Sequence, residues 1–306
     1  MKQEIICRVL TGPTASGKSS LGMELAKKYG WTIFCMDSMQ VYREMNIGTA
    51  KPTLEDRRAV RHEMLDLLDP KEGYSVYEYR ETAERKVLQL WEEERKEVLF
   101  VGGTGLYLQA MMHPLGMGTV PADEKLRMEL NTLAETEDGK RQLHVILQKL
   151  DPVTADRLPM NDVRRIIRAI EVTQGTGIPF SRQPERGGRS QFQWRVVSME
   201  MPREMLYARI NARVLKMIEA GLEKEVRGLL AYGVRPEMQS MQGLGYKEMV
   251  HYIKKEWTMK QTIEEIQKGT RHYAKRQITF LKREEKVQYI DAQASNLTDV
   301  ATKILL

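Results

Sequence analysis

Cysteine is nearly absent from this chain, with only Cys7 and Cys35 among 306 residues. Two thiols exclude a disulfide framework and a cysteine zinc site. Both fall inside apolar, strand-like runs and read as buried, reduced side chains. Long hydrophobic stretches are missing as well. No segment approaches the roughly 18 apolar residues of a membrane span, and Met1-Lys2-Gln3-Glu4 does not open a secretory h-region, so the chain is expected to be cytoplasmic. No internal repeat or low-complexity tract is present, which removes solenoids and compositionally biased linkers. Nor is charge one-sided: 48 Lys+Arg against 42 Asp+Glu leave +6, a mild basic excess that favours a polyanionic partner. With 42% hydrophobic and 29% charged residues, what remains is a soluble folded chain. Its length suits about two domains.

The first hundred residues alternate short apolar runs with helical patterns, the form a parallel sheet covered by helices takes in sequence. Strands are expected at 5–10, 32–36 and 98–101. Leu21, Leu25, Ala26 and Tyr29 follow helical spacing and Gly30 supplies a stop. A further helix with one charged face spans 77–97. From 122 to 175 the pattern is continuously helical, with Leu143, Ile146, Leu147 and Leu150 in one stretch and Ile166, Ile167 and Ile170 in another. The strand pattern returns at 193–201, followed by one long helix over 204–232 and a closing strand at 285–291. The expected organisation is a core of 1–111 and 193–306 with an inserted all-helical domain, 112–192.

The sharpest local signal is Gly12-Pro13-Thr14-Ala15-Ser16-Gly17-Lys18-Ser19, which fits the phosphate-loop pattern G-x-x-x-x-G-K-[ST]. It follows a predicted strand and opens a predicted helix. Its backbone N–H groups can therefore converge on an anion at the helix N-terminus, with Lys18 adding a point charge and Ser19 a hydroxyl for Mg²⁺. The fold class that follows is α/β: a P-loop NTPase-like parallel sheet flanked by helices, carrying the helical insertion. Such a loop identifies a phosphorylated ligand rather than a reaction. Kinases, NTPases and enzymes that expel pyrophosphate all use the same cradle.

What lies opposite the phosphates discriminates among them. The second strand runs into Asp37-Ser38-Met39-Gln40-Val41-Tyr42, and the carboxyl ends of strands border the ligand crevice of an open α/β sheet. Asp37 there either holds a metal, takes a proton or caps a turn. The strand 98–101 ends in Gly102-Gly103-Thr104-Gly105-Leu106-Tyr107, without the metal-holding acid expected of an ordinary ATPase. Two basic clusters point elsewhere. Between Asp162 and Arg189 stand six arginines (Arg164, Arg165, Arg168, Arg182, Arg186, Arg189) and no lysine, a composition suited to bidentate phosphate contacts and base stacking. Arg271-His272-Tyr273-Ala274-Lys275-Arg276-Gln277 interleaves aromatics with cations and continues to Lys282 and Arg283, a nucleic-acid composition. Gly243-Leu244-Gly245-Tyr246 and Gly187-Gly188 read simply as loops, and the 19 methionines as core filler.

In order along the chain, Gly12–Ser19, Asp37–Tyr42, Gly48-Thr49-Ala50-Lys51-Pro52, Gly102–Tyr107, Arg168-Ala169-Ile170-Glu171, Gly243-Leu244-Gly245-Tyr246-Lys247 and Tyr273–Gln277 resemble the motifs of the bacterial tRNA dimethylallyltransferases. The resemblance runs from about residue 5 to 291 and implies transfer of a dimethylallyl group from dimethylallyl diphosphate to N6 of the adenosine 3′ of the anticodon, with release of diphosphate. It further implies a monomer that uses Mg²⁺ and binds the anticodon stem-loop. By the same resemblance Gly12, Pro13, Thr14, Ala15, Ser16, Gly17, Lys18 and Ser19 hold diphosphate, with Ser19 on the metal. Asp37 is the base, Thr104 orients the adenine, and Arg213 is a second cation for the leaving group. The tRNA contacts implied are Asp37, Ser38, Met39, Gln40, Thr104, Arg127, Arg164, Arg165, Ile166, Ile167, Arg168, Gln242, Gly243, Leu244, Gly245, Tyr246, Lys247, Lys275, Arg276, Gln277 and Lys282. One departure stands out: where many relatives place Trp in the late motif, this chain has Ile278-Thr279-Phe280. No C-terminal zinc finger is expected, so the grip on tRNA is expected from the helical insertion and the basic motif.

Overall fold

The structure, a computed structural model, describes residues 4–113, 122–183 and 190–306. Arg186, Arg189 and Gly187-Gly188 lie outside the described residues. The chain divides into two compact units, Met1–Met112 with Gln191–Leu306, and His113–Ser190.

The first unit is built on a six-stranded sheet of β1 (Ile5–Thr11), β2 (Thr32–Cys35), β3 (His62–Glu63), β4 (Val98–Val101), β5 (Phe192–Glu200) and β6 (Val287–Asp291). The order is β3-β2-β4-β1-β5-β6 and every pairing is parallel. Parallel strands covered on both faces read as unbroken apolar runs, and the last five residues of β1 and all four of β2 are buried. Cys7 and Cys35 lie in that core as free thiols. Helix α1 (Lys18–Tyr29) follows β1, and Gly30 ends it in a left-handed cap (φ 69°) donating to Ala26 O. After α2 (Leu54–Ala59), α3 (Val76–Glu94) begins in a Ser75–Glu78 capping box, and α4 (Gly105–Met112) follows β4. The connections from β1 to β2 and from β4 to β5 run past each other to opposite sides of the sheet. The loops after β1 and β4 thus meet at a topological switch point, where α/β sheets bind ligands.

The second unit is helical throughout its described residues: α5 (Glu124–Leu133), α6 (Glu137–Leu150), α7 (Pro152–Arg157) and α8 (Val163–Thr176) enclose a core of Leu130, Leu143, Leu147, Ile166, Ile167 and Ile170. Two buried carboxylates tie it together. Asp151 accepts from the N–H and hydroxyl of both Thr154 and Ser181, and Glu171 accepts from the Asp123 N–H, Arg127 and Arg168.

Beyond β5 the structure corrects one expectation. The single helix over 204–232 is two, α9 (Arg203–Glu219) and α10 (Leu222–Ala231), because Gly221 turns left-handed at φ 98° and breaks the run. The chain continues through α11 (Tyr246–Ile253) and the 23-residue α12 (Met259–Leu281), then β6 and α13 (Leu297–Leu305). The last helix is anchored by Arg8 of β1, which lies over Trp31, donates to Leu305 O at 2.9 Å and pairs with Glu97. No helix among the described residues is long and apolar enough to cross a membrane.

Candidate active site

The loop after β1 is wound by left-handed residues, with φ 140° at Gly12, 64° at Ala15 and 99° at Gly17. Alternating handedness turns successive N–H groups towards a common centre, which makes a nest for an anion. The strain of a left-handed alanine is of the kind held at ligand-binding loops. Space is tight at Gly12 as well, since a Cβ there would stand 3.0 Å from Met199 O. Helix α1 begins at Lys18 with no side-chain cap and no acid in its first turn, so its leading N–H groups are left for a ligand. Lys18 Nζ rests on Pro13 O at 3.2 Å, and the Ser16 hydroxyl is buried without a partner.

Across the crevice, the ends of β2 and β4 are locked together. Thr104 N–H donates to Met36 O, Ser38 N–H to Thr104 Oγ1 at 3.2 Å, and Met39 N–H to Asp37 Oδ1 at 2.9 Å. Gly102 permits this approach, because a Cβ would lie 2.0 Å from Met36 O. Tyr79 on α3, stacked on Tyr107, donates to Cys35 O and fixes the strand end two residues before Asp37. One Asp37 oxygen is therefore engaged in shaping its own turn.

Electrostatics bind these groups into one site. Burial and the positive charge of Arg213 on α9 push the Lys18 ammonium down to about 8, while the Asp37 carboxylate opposes them. Arg213 is itself lowered by burial, again against the pull of Asp37. Two half-buried cations thus face one carboxylate, a surplus of positive charge that an anionic ligand would satisfy. Tyr273 of α12, hydrogen-bonded to Thr104 and Gln277, is pushed up to about 12 by burial and the charge of Asp37, so it stays a neutral phenol.

Three of the sequence motifs converge beside Asp37. The Met39 sulfur would lie 3.1 Å from a Cβ on Gly243, and the Tyr246 ring leaves no space for one on Gly48. Gln40 Nε2 donates to Thr49 O at 3.1 Å, and Lys51 is buried between Tyr42 O and Asp66. Glu225, which no motif signals, holds the arrangement: its carboxylate accepts from the N–H groups of Asn46, Ile47 and Gly48 and from the Tyr246 hydroxyl, at 2.7 to 3.1 Å. Phe280, the aromatic of the late motif, packs directly against Gly105.

The side chains expected to meet RNA divide in two. Arg164, Arg165, Gln242, Lys247, Lys275, Arg276 and Lys282 are exposed, and Ser38, Met39, Gln40 and Leu244 are partly so. Ile166 and Ile167 are core residues of the helical unit, and Tyr246 and Gln277 are buried in the first, so these four side chains face inward. Arg127 forms a two-pronged pair with Glu171, which Arg168 also contacts. Among the described residues no group of three or more His, Cys, Asp or Glu is arranged to hold a metal. A cation at this site would draw on the exposed Ser19 hydroxyl and on phosphate and water oxygens, an all-oxygen set that fits a hard ion such as Mg²⁺.

A parallel sheet with an anion nest after its first strand, a facing carboxylate and no acid after β4 defines an α/β enzyme of the P-loop class that handles a phosphorylated substrate. The IPP transferase family model matches residues 40–284. The tRNA dimethylallyltransferase of Carboxydothermus hydrogenoformans is 42% identical over 307 residues, spanning 100% of this chain and 97% of that protein. That of Desulforudis audaxviator is 43% identical over 93% of this chain and 91% of its own. Among solved structures, the tRNA isopentenylpyrophosphate transferase of Bacillus halodurans is 36% identical, with a TM-score of 0.70 over 98% of this chain and 94% of that one. A eukaryotic dimethylallyltransferase captured acting on tRNA is 25% identical, with a TM-score of 0.81 over 98% of this chain and 77% of that one. The chain belongs to the tRNA dimethylallyltransferase (IPP transferase) family.

Proposed function

We propose that this protein transfers the dimethylallyl group of dimethylallyl diphosphate to N6 of the adenosine 3′ of the anticodon in tRNA, as a cytoplasmic monomer. The observation that carries this reading is the anion nest after β1, with Lys18 at the uncapped start of α1, standing with Asp37 and Arg213 at one crevice. Two cations suit a departing diphosphate, and a carboxylate opposite suits an amine that must lose a proton. In the reaction a bond forms between N6 and the allylic C1 while the C1–O bond breaks. The electron pair leaves on diphosphate, and the N6 proton passes to Asp37.

The loop N–H groups, Lys18 and Arg213 meet the charge that develops on the leaving oxygens, the preorganised term that usually dominates such catalysis. Asp37 acts as general base and Thr104 orients the adenine, a reading supported by the Ser38 N–H that holds Thr104 Oγ1 beside Asp37. Mg²⁺ on Ser19 would supply further neutralisation of diphosphate. Because the leaving group and not a transferring phosphoryl occupies the nest, no hydrolytic water is needed, in keeping with the missing acid after β4. The base must leave its stack to enter the crevice, which costs least in a single-stranded anticodon loop.

The direct test is incubation with labelled dimethylallyl diphosphate and unmodified tRNA carrying adenosine beside the anticodon, with free AMP and ATP-dependent phosphorylation as controls. Label on tRNA alone is expected; label on AMP, or phosphate transfer from ATP, would replace the reading. In the helical unit, Arg165 is 75% exposed and pairs only loosely with Asp162, at 3.3 Å. Arg165→Ala should weaken tRNA binding at every salt concentration and lower the slope of log K against log salt by about one. A slope equal to wild type would remove this arginine from the interface.

A further inference from the structure

The reaction as described makes no use of Gln277. In sequence it closes a basic motif and reads as an RNA contact, yet its side chain is only 6% exposed and points inward from α12. Its Oε1 accepts from Thr14 N–H in the loop after β1 at 2.8 Å, and its Nε2 donates to Gly103 O in the loop after β4 at 2.8 Å. Glycine at 103 is what admits it, since a Cβ there would stand 2.2 Å from Nε2. A single planar amide therefore clamps the two loops that border the crevice. The chemistry is specific: one bond needs an acceptor and the other a donor, and a primary amide offers both without a charge. Two consequences follow. The Thr14 N–H is committed to Gln277, so the N–H groups left for an anion come from further along the loop towards α1. The entry of the loop is also set by α12, the same helix whose exposed side carries Lys275 and Arg276.

We propose that Gln277 is a positioning residue for the phosphate loop, holding Thr14 and Gly103 in the geometry that receives the donor, and is not itself an RNA contact. This rests on the reading of that loop as the diphosphate cradle.

Gln277→Met keeps the length and approximate volume of the side chain but removes its hydrogen bonds to Thr14 N–H and Gly103 O, together with the one it shares with the Tyr273 hydroxyl. Gln277→Glu keeps the acceptor for Thr14 N–H and can donate to Gly103 O only when protonated. For the full-length wild type and both variants, the measurements are binding of inorganic pyrophosphate with Mg²⁺ by calorimetry, tRNA binding by filter retention, KM and kcat, and the melting temperature. For Gln277→Met, pyrophosphate affinity should fall and KM for dimethylallyl diphosphate should rise by about ten-fold, in line with the loss of the two hydrogen bonds that hold the loops, while the tRNA dissociation constant stays within about two-fold. For Gln277→Glu, the deficit in pyrophosphate binding relative to wild type should shrink as pH is lowered from about 8 to about 5.5, because the protonated acid regains its donor. That comparison carries the test alone if Gln277→Met does not fold. Loss of tRNA affinity with pyrophosphate affinity unchanged would return Gln277 to the RNA interface. A lowered melting temperature with every binding constant unchanged would make it a structural residue only. Either result overturns the proposal. Wild-type protein that binds no pyrophosphate would instead overturn the reading of the loop, and the assignment with it.

Discussion

Asp37→Asn is expected to lower kcat by about 10²- to 10⁴-fold, the usual worth of a general base, while tRNA affinity stays close to wild type. Asparagine is the informative replacement because one carboxylate oxygen accepts from Met39 N–H. The amide oxygen can continue to accept there, so the turn that carries Ser38, Met39 and Gln40 keeps its shape. What disappears is the capacity to take a proton. The substitution also removes the one negative charge that opposes Lys18 and Arg213. The donor is an anion, so its KM should hold or fall. Without Asp37 the Lys18 ammonium is pushed down further, so the comparison belongs near pH 6.5, where Lys18 remains charged in both proteins. A drop in tRNA affinity that matches the drop in rate would remove the base assignment and leave Asp37 a binding residue.

Much of this site is legible in the sequence because the decisive signals are local. The phosphate loop is one octapeptide, and Asp37 stands two residues beyond the end of a strand whose four residues are all apolar or β-branched and buried. What escapes is decided by residues distant in the chain or by which face of a helix is covered. Leu206, Ile210, Val214 and Met217 pass into Leu222, Val226 and Leu229 with helical spacing on both sides of Gly221, so only the backbone angle there reveals two helices. The buried face of α12 carries Thr262 and Gln277 beside Ile266, Ala274 and Leu281, which mutes its apolar periodicity and makes an inward amide look like part of a basic surface. Glu225 is one acid among several on α10, and its backbone partners lie 177 to 179 residues away. The resemblance counts Ile166 and Ile167 with the arginines of α8 as RNA contacts. The helix turns them to the opposite side, into the core. A motif therefore marks a neighbourhood, and the packing determines which of its members point out.

Lys18→Met should reduce kcat by about 10²- to 10³-fold, comparable to deleting one preorganised donor to a developing anion, and should abolish a specific limb of the pH profile. In the free protein the ammonium loses its proton as pH rises through about 8. Bound diphosphate favours the charged form, so wild-type affinity for dimethylallyl diphosphate should decline above that pH by up to about ten-fold per unit, one proton being taken up on binding. The methionine variant has no such group and should show no decline over the same range. Stability runs the opposite way. The folded-state value lies below the ordinary 10.5, so between about 8 and 10.5 the unfolded chain binds more protons and wild-type stability rises with pH. Below about 8 the penalty of a charged, desolvated lysine is fully present, and replacement by methionine removes it. At pH 7 the variant should therefore resist urea at least as well as wild type while being nearly inactive. Were it less stable, or were its donor affinity to keep falling above pH 8, the limb would belong to another group and Lys18 would lose its role as the buried cation on the leaving diphosphate.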